Sequence, residues 1–292
     1  MAYYKDLREY LNVLEKKGKL LRIKREINKD TELHPLARLQ FRGLPEAERK
    51  GFLFENIIDN KGKKYNIPLA VCVLAANKEI YATGLGCDTD KIQDKWVKVL
   101  SNPIEPILVN KASVHEEVHV GDSLLEHGGL DEFPIPISTP GYDAGPFLSS
   151  PWIVSKSPET GIYNMGTYRC HIKSSTRTGV FFASSGQHLS LHALEAAKLG
   201  KPLEVAIVIG GPPCLGYVSV IKTPAEVNEY AFAGGIAEEP LELVKCKTVD
   251  LEVPAFAEIV FEGTLSTDEV EPEAPFGETH GYMGRRAYMP FF

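Results

Sequence analysis

The sequence predicts an α+β protein, with a small N-terminal α/β domain followed by a larger domain built mainly of strands. Its 292 residues are enough for one large domain or two ordinary ones. Hydrophobic residues make up 43% of the chain and charged residues 24%, as is typical of a globular protein. After residue 150, strand patterns dominate and few helices separate them, which favours α+β over regular βαβ alternation.

The first 115 residues mix helix and strand patterns. Leu7, Leu11 and Leu14 lie at helical spacing and predict a helix over residues 4–17, with Gly18 as its C-cap. The other elements predicted here are strands at 19–27, 51–55, 67–74 and 114–120, helices at 32–42 and 90–100, and a helical or loop passage at 78–86. We place a domain boundary near residue 115, which gives domains of 1–115 and 116–292.

The second domain begins with a proline-rich stretch over residues 133–146, which is expected to be extended and stiff. Beyond it, the sequence predicts helices at 189–199 and 225–233 and strands at 152–156, 163–172, 179–183, 203–209, 216–221, 243–247 and 257–264. The glycine-rich segment 210–214 matches neither GxGxxG nor the P-loop, and no GxSxG or HExxH occurs. Familiar hydrolase and nucleotidase mechanisms are therefore unsupported.

Charge and composition argue against several other classes of protein. The net charge of −7 is unlike that of a nucleic-acid binder, which usually carries a basic face. No run of about 18 apolar residues predicts a membrane span, and the N-terminal residues lack the apolar core of a signal peptide. The five cysteines occur singly, without a CxxC pair. We expect reduced thiols and a cytoplasmic protein.

The stretch Asn164–Arg169 concentrates an amide, a glycine, a hydroxyl and a guanidinium in six residues. Alternation over 163–172 predicts a strand, which would place Asn164 and Arg169 on opposite faces. An ordinary half-exposed strand with a surface arginine explains the periodicity equally well. If both side chains serve one site, the strand must twist, bulge or end between them, most easily at Gly166.

Two further positions could bring a metal ion or an anion to this stretch. His188 stands at a predicted helix start, where a neutral imidazole can bind metal and where the helix N-terminus favours anions. Glu229 could complete an O/N/O set with Asn164 and His188 for Mn²⁺ or Mg²⁺. The three residues are far apart in sequence, so an exposed helix glutamate and a solvated cap-region histidine remain alternatives.

The acidic segment 268–278 is the last candidate. Such a run is usually a solvated face. Here, however, the turn Ala274–Gly277 fixes the separation of Glu273 and Glu278, and the polar and aromatic segment 279–282 that follows could line a pocket. Two carboxylates near one arginine can be driven to different pKa values, as acid and base roles require.

Several of these segments, taken in order, resemble one enzyme family. They are Tyr4–Leu11, Asn164–Arg169, Gln187–His188, Asn228–Gly234, Val253–Gly263 and Glu273–Glu278. Together they resemble the UbiD family of decarboxylases, which use prenylated FMN. The segment Glu273–Glu278, followed after Thr279 by His-Gly-Tyr, is the most specific of them. The fold that this resemblance implies is a split β-barrel flavin domain preceded by a small α/β domain.

The resemblance also implies a cofactor site and a catalytic network. Asn164, His188 and Glu229 would hold a divalent metal, commonly Mn²⁺, and this metal would contact the phosphate of the cofactor. K⁺ is often bound nearby. The residues implied to bind prenylated FMN or its metal are Asn164, Thr167, Tyr168, Arg169, Gln187, His188, Ser219 and Glu229. The catalytic network would be Arg169, Glu273 and Glu278.

The chemistry that this implies is reversible, non-oxidative decarboxylation of a small aromatic or α,β-unsaturated acid. Loss of CO₂ leaves a carbanion at an sp² carbon, and prenylated FMN supplies the electron sink. Arg169 would hold the substrate carboxylate in a bidentate grip, Glu278 would protonate the carbon, and Glu273 would tether Arg169. The Tyr168-Arg169 pair and the Thr167 hydroxyl resemble members acting on hydroxybenzoate-type rather than cinnamate-type acids.

Family members continue beyond the point that matches Phe292, where they complete the flavin domain and add a C-terminal dimerisation domain. We therefore expect a truncated chain, or a short subunit that another chain completes, and either a homo-oligomer or such a complex. Two alternatives stay open: a cofactor carrier or chaperone subunit without catalysis of its own, and a flavin-binding structural or oligomerisation module.

Overall fold

The computed structural model describes residues 2–224, 226–278 and 280–292. Within these ranges the α-helices are α1 Leu7–Lys16, α2 Leu33–Gly43, α3 Lys78–Leu85, α4 Ile92–Ser101, α5 His188–Lys198, α6 Pro213–Val218 and α7 Glu229–Ala237. The strands are β1 Leu20–Asn28, β2 Gly51–Ile58, β3 Lys64–Tyr65, β4 Leu69–Val71, β5 Ile107–Leu108, β6 Phe147–Leu148, β7 Trp152–Lys156, β8 Tyr163–Thr167, β9 Cys170–Ser174, β10 Arg177–Val180, β11 Leu203–Ile209, β12 Glu242–Lys245, β13 Glu252–Pro254, β14 Ile259–Leu265, β15 Glu271–Glu273 and β16 Ala287–Met289.

The N-terminal part is a small mixed sheet covered by helices. β1 pairs parallel with β2, and β3 and β4 pair antiparallel with β2. The Asp6 side chain caps α1 by accepting a hydrogen bond from the Glu9 N–H, and Gly18 follows the helix end at φ +67°. The fully buried Tyr10 donates its hydroxyl to the Val73 carbonyl at 2.7 Å. These contacts confirm the helix predicted over 4–17.

The central sheet of the second part carries the largest core. Its order is β14-β11-β7-β8, and all of its pairings are antiparallel. Alternate residues of β11 enter two apolar clusters, since Val205 and Ile207 pack on the side of α5 and Ala206 and Val208 on the side of α6 and α7. Because both faces are buried, residues 205–209 form one continuous apolar run, and the strand predicted over 203–209 is confirmed.

The strand predicted over 163–172 is wrong as a single element. β8 ends at Thr167, and β9 begins at Cys170 in a different sheet, of order β10-β9-β6. The Tyr168 ring lies so close to Gly166 that a Cβ there would be 2.6 Å from it. β8 therefore ends one residue after Gly166, close to the position where the sequence predicted a break in the strand.

Two other predicted strands are wrong. Residues 114–120 form a 3-10 turn at Ser113–His115 and then irregular chain, and 216–221 contains the second half of helix α6 followed by a turn. α6 is buried on every side, so its sequence lacks the helical periodicity that would distinguish it from a strand. Pro213 at its first turn favours the helix start. α7 begins at Glu229, capped by Asn228, and the predicted start at Ala225 lies outside the described residues.

The architecture is mixed α+β, as predicted. In the ranges that the structure describes, the strands form separate sheets and no closed barrel is found. None of the described helices combines the length and apolar character that crossing a membrane requires. The division into domains of 1–115 and 116–292 stays a prediction.

Candidate active site

Arg169 and Glu273 form a buried, bidentate ion pair. Arg169 lies in the link between β8 and β9, and Glu273 is the last residue of β15. Arg169 Nε donates to Glu273 Oε1 at 2.9 Å, and Nη2 donates to Oε2 at 3.0 Å. The Glu273 side chain is only 1% exposed. Two parallel charge-assisted hydrogen bonds fix the plane of the guanidinium as well as its position.

Glu278 completes the cluster from the opposite side. Arg169 Nη1 donates to Glu278 Oε1, and the Glu278 side chain is 30% exposed. The guanidinium carbon lies 3.8 Å from the centroid of the Phe181 ring and 4.7 Å from that of Phe276. Burial opposes the charge on Arg169, but the hydrogen bonds and charges of both glutamates outweigh burial and raise the pKa of Arg169. The arginine therefore stays a cation between one buried and one accessible carboxylate.

The turn between the two glutamates is held by Asp143. Its carboxylate accepts hydrogen bonds from the Gly277 N–H at 2.7 Å and from the Thr139 N–H. A Cβ at Gly277 would lie 2.1 Å from Thr139 Oγ1, so only glycine fits this contact. Of the segment 279–282, Thr279 lies outside the described residues, and Tyr282 is exposed, contrary to the expectation of a pocket wall.

A second cluster forms around Glu229 at the start of α7. Its Oε2 accepts a hydrogen bond from the Met165 N–H at 3.0 Å, and its Oε1 accepts one from Thr223 Oγ1 at 2.7 Å. His188 Nδ1 lies 3.6 Å from Glu229 Oε1. Glu229 is buried, yet none of its ion pairs in the described part of the chain involves lysine or arginine. A buried carboxylate without a permanent cation suits a metal ion.

Asn164 borders this cluster as the residue before Met165. It is 4% exposed, and its Nδ2 has no hydrogen-bond partner among the described residues. An unsatisfied buried polar group costs roughly 1–3 kcal/mol, so a bound group that satisfied the amide would stabilise this position. The buried Tyr168 hydroxyl lies beside the Asn164 side chain and accepts a hydrogen bond from the N–H of Leu189. Leu189 follows His188, so Tyr168 links the strand to the start of α5.

The remaining predicted flavin residues hold the backbone around this cluster. Thr167 Oγ1 lies 2.8 Å from Ser219 Oγ, and the Thr167 N–H donates to the Ser219 carbonyl at 2.9 Å. Ser219 is the C-cap of α6, which is why its placement in a strand was wrong. Gln187 Oε1 accepts a hydrogen bond from the Ala183 N–H at 2.8 Å and so closes the loop before α5.

The structure thus brings the predicted residues into two clusters joined by the six residues 164–169. Sequence reasoning missed Thr223 on Glu229, Phe181 and Phe276 on Arg169, and Asp143 beneath the turn. Phe276 could have been found, since it lies between the two glutamates in the turn itself. Thr223 carried no signal, because its role depends on a contact that forms only in the folded chain.

Models of one protein family match both parts of the chain. The family model for the 3-octaprenyl-4-hydroxybenzoate carboxy-lyase N-terminal domain matches residues 11–100. The model for the Rift-related domain of the same carboxy-lyase matches residues 108–292. The chain belongs to the UbiD family, whose members are decarboxylases.

Individual relatives agree with this assignment. A protein of Aquifex aeolicus is 36% identical over 97% of this chain and 60% of its own length. The UbiD-class enzyme HmfF of Pelotomaculum thermopropionicum, in complex with FMN, is 31% identical with a TM-score of 0.86, over 98% of this chain and 60% of HmfF. An evolved dimeric form of HmfF in complex with prFMN is 30% identical with a TM-score of 0.85, over 99% and 64%.

The vanillic acid decarboxylase of Sedimentibacter hydroxybenzoicus, in closed form, is 27% identical with a TM-score of 0.87. That match covers all of this chain and 61% of the decarboxylase chain. The present chain therefore spans about 60% of the length of the relatives that it matches. Relatives of this fold bind FMN or prFMN, which supports a flavin as the cofactor of the family.

Proposed function

We propose that this protein acts in the reversible, non-oxidative decarboxylation of an aromatic or α,β-unsaturated carboxylic acid, with prenylated FMN and a divalent metal. The observation that carries the proposal is the cluster of Arg169, Glu273 and Glu278. It places one buried arginine between a fully enclosed carboxylate and an accessible one. This arrangement offers a fixed positive charge for an anionic substrate and a separate group for proton transfer.

The cluster of Asn164, His188 and Glu229 suits the metal and the phosphate of the cofactor. Carboxylate and amide oxygens with one imidazole nitrogen form a donor set for Mn²⁺ or Mg²⁺. A phosphate oxygen would accept a hydrogen bond from Asn164 Nδ2, which has no partner among the described residues, and the metal ion would balance the buried charge of Glu229. The start of α5 lies at His188, so backbone N–H groups of a helix N-terminus are also available to a phosphate.

The chain's own residues divide the chemistry between them. When bound, prenylated FMN would supply the electron sink for the carbanion left by CO₂. Glu273 occupies the Nε–Nη2 edge of Arg169, so that edge cannot also grip a substrate carboxylate. A rotation of the partly exposed Glu278 side chain would free the Nη1 side of Arg169 for the substrate. Glu278, the accessible carboxyl group, would take up a proton from solvent and deliver it to the carbon that loses CO₂.

Reconstitution tests this function directly. The protein, loaded with prenylated FMN and Mn²⁺, is expected to release CO₂ from hydroxybenzoate-type acids faster than from cinnamate-type acids. The measurements are CO₂ evolution and the absorbance of the bound flavin. Flavin binding without turnover on either class of acid would contradict the proposal that this chain catalyses the reaction on its own.

A second candidate function is a cofactor-binding subunit that needs a partner chain. It is favoured by the vanillic acid decarboxylase ShVdcCD, a relative whose structure has two subunits. The subunit proposal predicts that turnover appears only when a partner is added to the flavin-loaded protein. Full turnover by the purified chain would exclude it.

The metal proposal makes a prediction that does not depend on turnover. Replacing Glu229 with glutamine is expected to weaken Mn²⁺ binding by at least about tenfold, because it removes the only anionic ligand of the proposed set. Calorimetric titration of Mn²⁺ into the flavin-free protein measures the change. Glu226→Gln is the matched control, since Glu226 is exposed and lies three residues earlier. Equal Mn²⁺ affinity in the two variants would refute the proposed site.

A further inference from the structure

We propose that His119, Glu126 and His127 form a second metal site, for Zn²⁺, outside the decarboxylase site. Each residue offers one ligand atom, and these atoms all lie within 4.8 Å of one another. Ligand atoms about 2.1 Å from a tetrahedral Zn²⁺ are roughly 3.4 Å apart, so the three side chains need to close by little more than ~1 Å. Glu126 and His127 are exposed and His119 is half-buried, which leaves their rotamers free to make that adjustment.

The backbone between the ligands is already ordered. Residues Gly121–Leu125 form a 3-10 helix, and the Ser123 hydroxyl closes its start by bonding to the Val120 N–H at 3.0 Å and to the Val120 carbonyl at 2.9 Å. After the ligands, the Leu130 N–H donates to the Ser175 carbonyl at 2.8 Å. A metal ion would therefore bind a loop fixed on both sides, and little chain entropy would be lost on binding.

Two other histidines in the described part of the chain make contacts in the core. The buried His192 bonds to the Ser155 hydroxyl at 2.9 Å, and His171 stacks on Phe147. By contrast, the rings of His119 and His127 pack edge to face, with centroids 5.0 Å apart. A carboxylate oxygen of Glu117 lies 3.8 Å from His119 Nε2. Glu117 could orient that imidazole or add a second carboxylate.

The donor set selects the metal. Two imidazoles and one carboxylate form a three-residue set that Zn²⁺ accepts with water in the fourth position, whereas Ca²⁺ and Mg²⁺ prefer oxygen ligands only. Both histidines line a cavity of about 650 Å³, whose wall also includes Phe133 and Phe261. A bound ion would therefore tie the loop together at the wall of this cavity.

Zn²⁺ titration of the His188→Ala protein tests the proposal, because that background removes a ligand from the other proposed metal site. Calorimetry is expected to show one Zn²⁺ per chain. His119→Gln and His127→Gln, each added to this background, should weaken Zn²⁺ binding by at least about tenfold.

His115→Gln is the matched control, since His115 lines the same cavity but lies against the backbone of Lys245. It should leave Zn²⁺ affinity unchanged, and circular dichroism checks that each variant is folded. Equal Zn²⁺ affinity in the His119, His127 and His115 variants would overturn the proposal, as would the absence of Zn²⁺ binding in the folded parent.

Discussion

Replacing Arg169 with alanine is expected to lower the free energy of unfolding by about 3–5 kcal/mol. The change leaves the Glu273 carboxylate, only 1% exposed, without its cation and without two hydrogen bonds. It also removes the guanidinium from between the rings of Phe181 and Phe276. Breaking a buried pair from one side is much more destabilising than losing the same contact at the surface, because the remaining charge cannot recover its water.

Urea denaturation of the two single variants Arg169→Ala and Arg177→Ala measures this difference. Arg177 also pairs with a glutamate and lies over an aromatic ring, but its side chain is 48% exposed. Its replacement is expected to change stability by less than about 1 kcal/mol. The double variant Arg169→Met/Glu273→Leu should regain most of the lost stability, since no charge is then buried alone. Similar losses for Arg169→Ala and Arg177→Ala would refute a dominant role for the buried carboxylate.

The same pair limits how Arg169 can act on a substrate. The bidentate grip on a substrate carboxylate stays a prediction, and because Glu273 takes the edge that carries Nε, the grip would have to use the Nη1 side. Glu273 and the two phenylalanine rings hold the guanidinium, so the position of its positive charge is fixed. Preorganised charge of this kind needs no rearrangement at the moment when the substrate reacts.

The sequence predicted correctly those elements in which the pattern of apolar residues follows the pattern of burial. β11 was recognisable because a short apolar run bounded by turn residues is typical of a strand buried on both faces. α1 was recognisable because Leu11 and Leu14 bury one helical face while the other residues stay polar. In both elements, the positions of the apolar residues in the sequence match the positions that are buried.

The missed features depend on contacts between distant parts of the chain. The break at residues 168–169 arises because the Tyr168 ring packs back on Gly166 while Arg169 turns to a glutamate 104 residues later. α6 looked like a strand because every one of its residues is buried. Pairing Arg169 with Glu273 required the family resemblance, since long-range contacts leave no periodic trace in the sequence.

Replacing Glu278 is expected to lower the activity strongly while leaving the stability nearly unchanged. In the reconstituted protein, Glu278→Gln is expected to slow CO₂ release by roughly 10²–10⁴-fold, the usual contribution of a positioned general acid. The glutamine carbonyl can still accept the hydrogen bond from Arg169 Nη1, so the geometry of the cluster is retained. Because the Glu278 side chain is 30% exposed, the free energy of unfolding should change by less than about 1 kcal/mol.

Glu271→Gln is the matched control for this prediction, since Glu271 lies on the same segment but pairs with the exposed Arg177. It should leave the rate of CO₂ release unchanged, and flavin absorbance should be the same in both variants. A Glu278→Gln protein that releases CO₂ at the parent rate would show that the proton comes from another group. If the rate falls while flavin binding and stability are retained, the loss lies in the delivery of the proton and not in the assembly of the site.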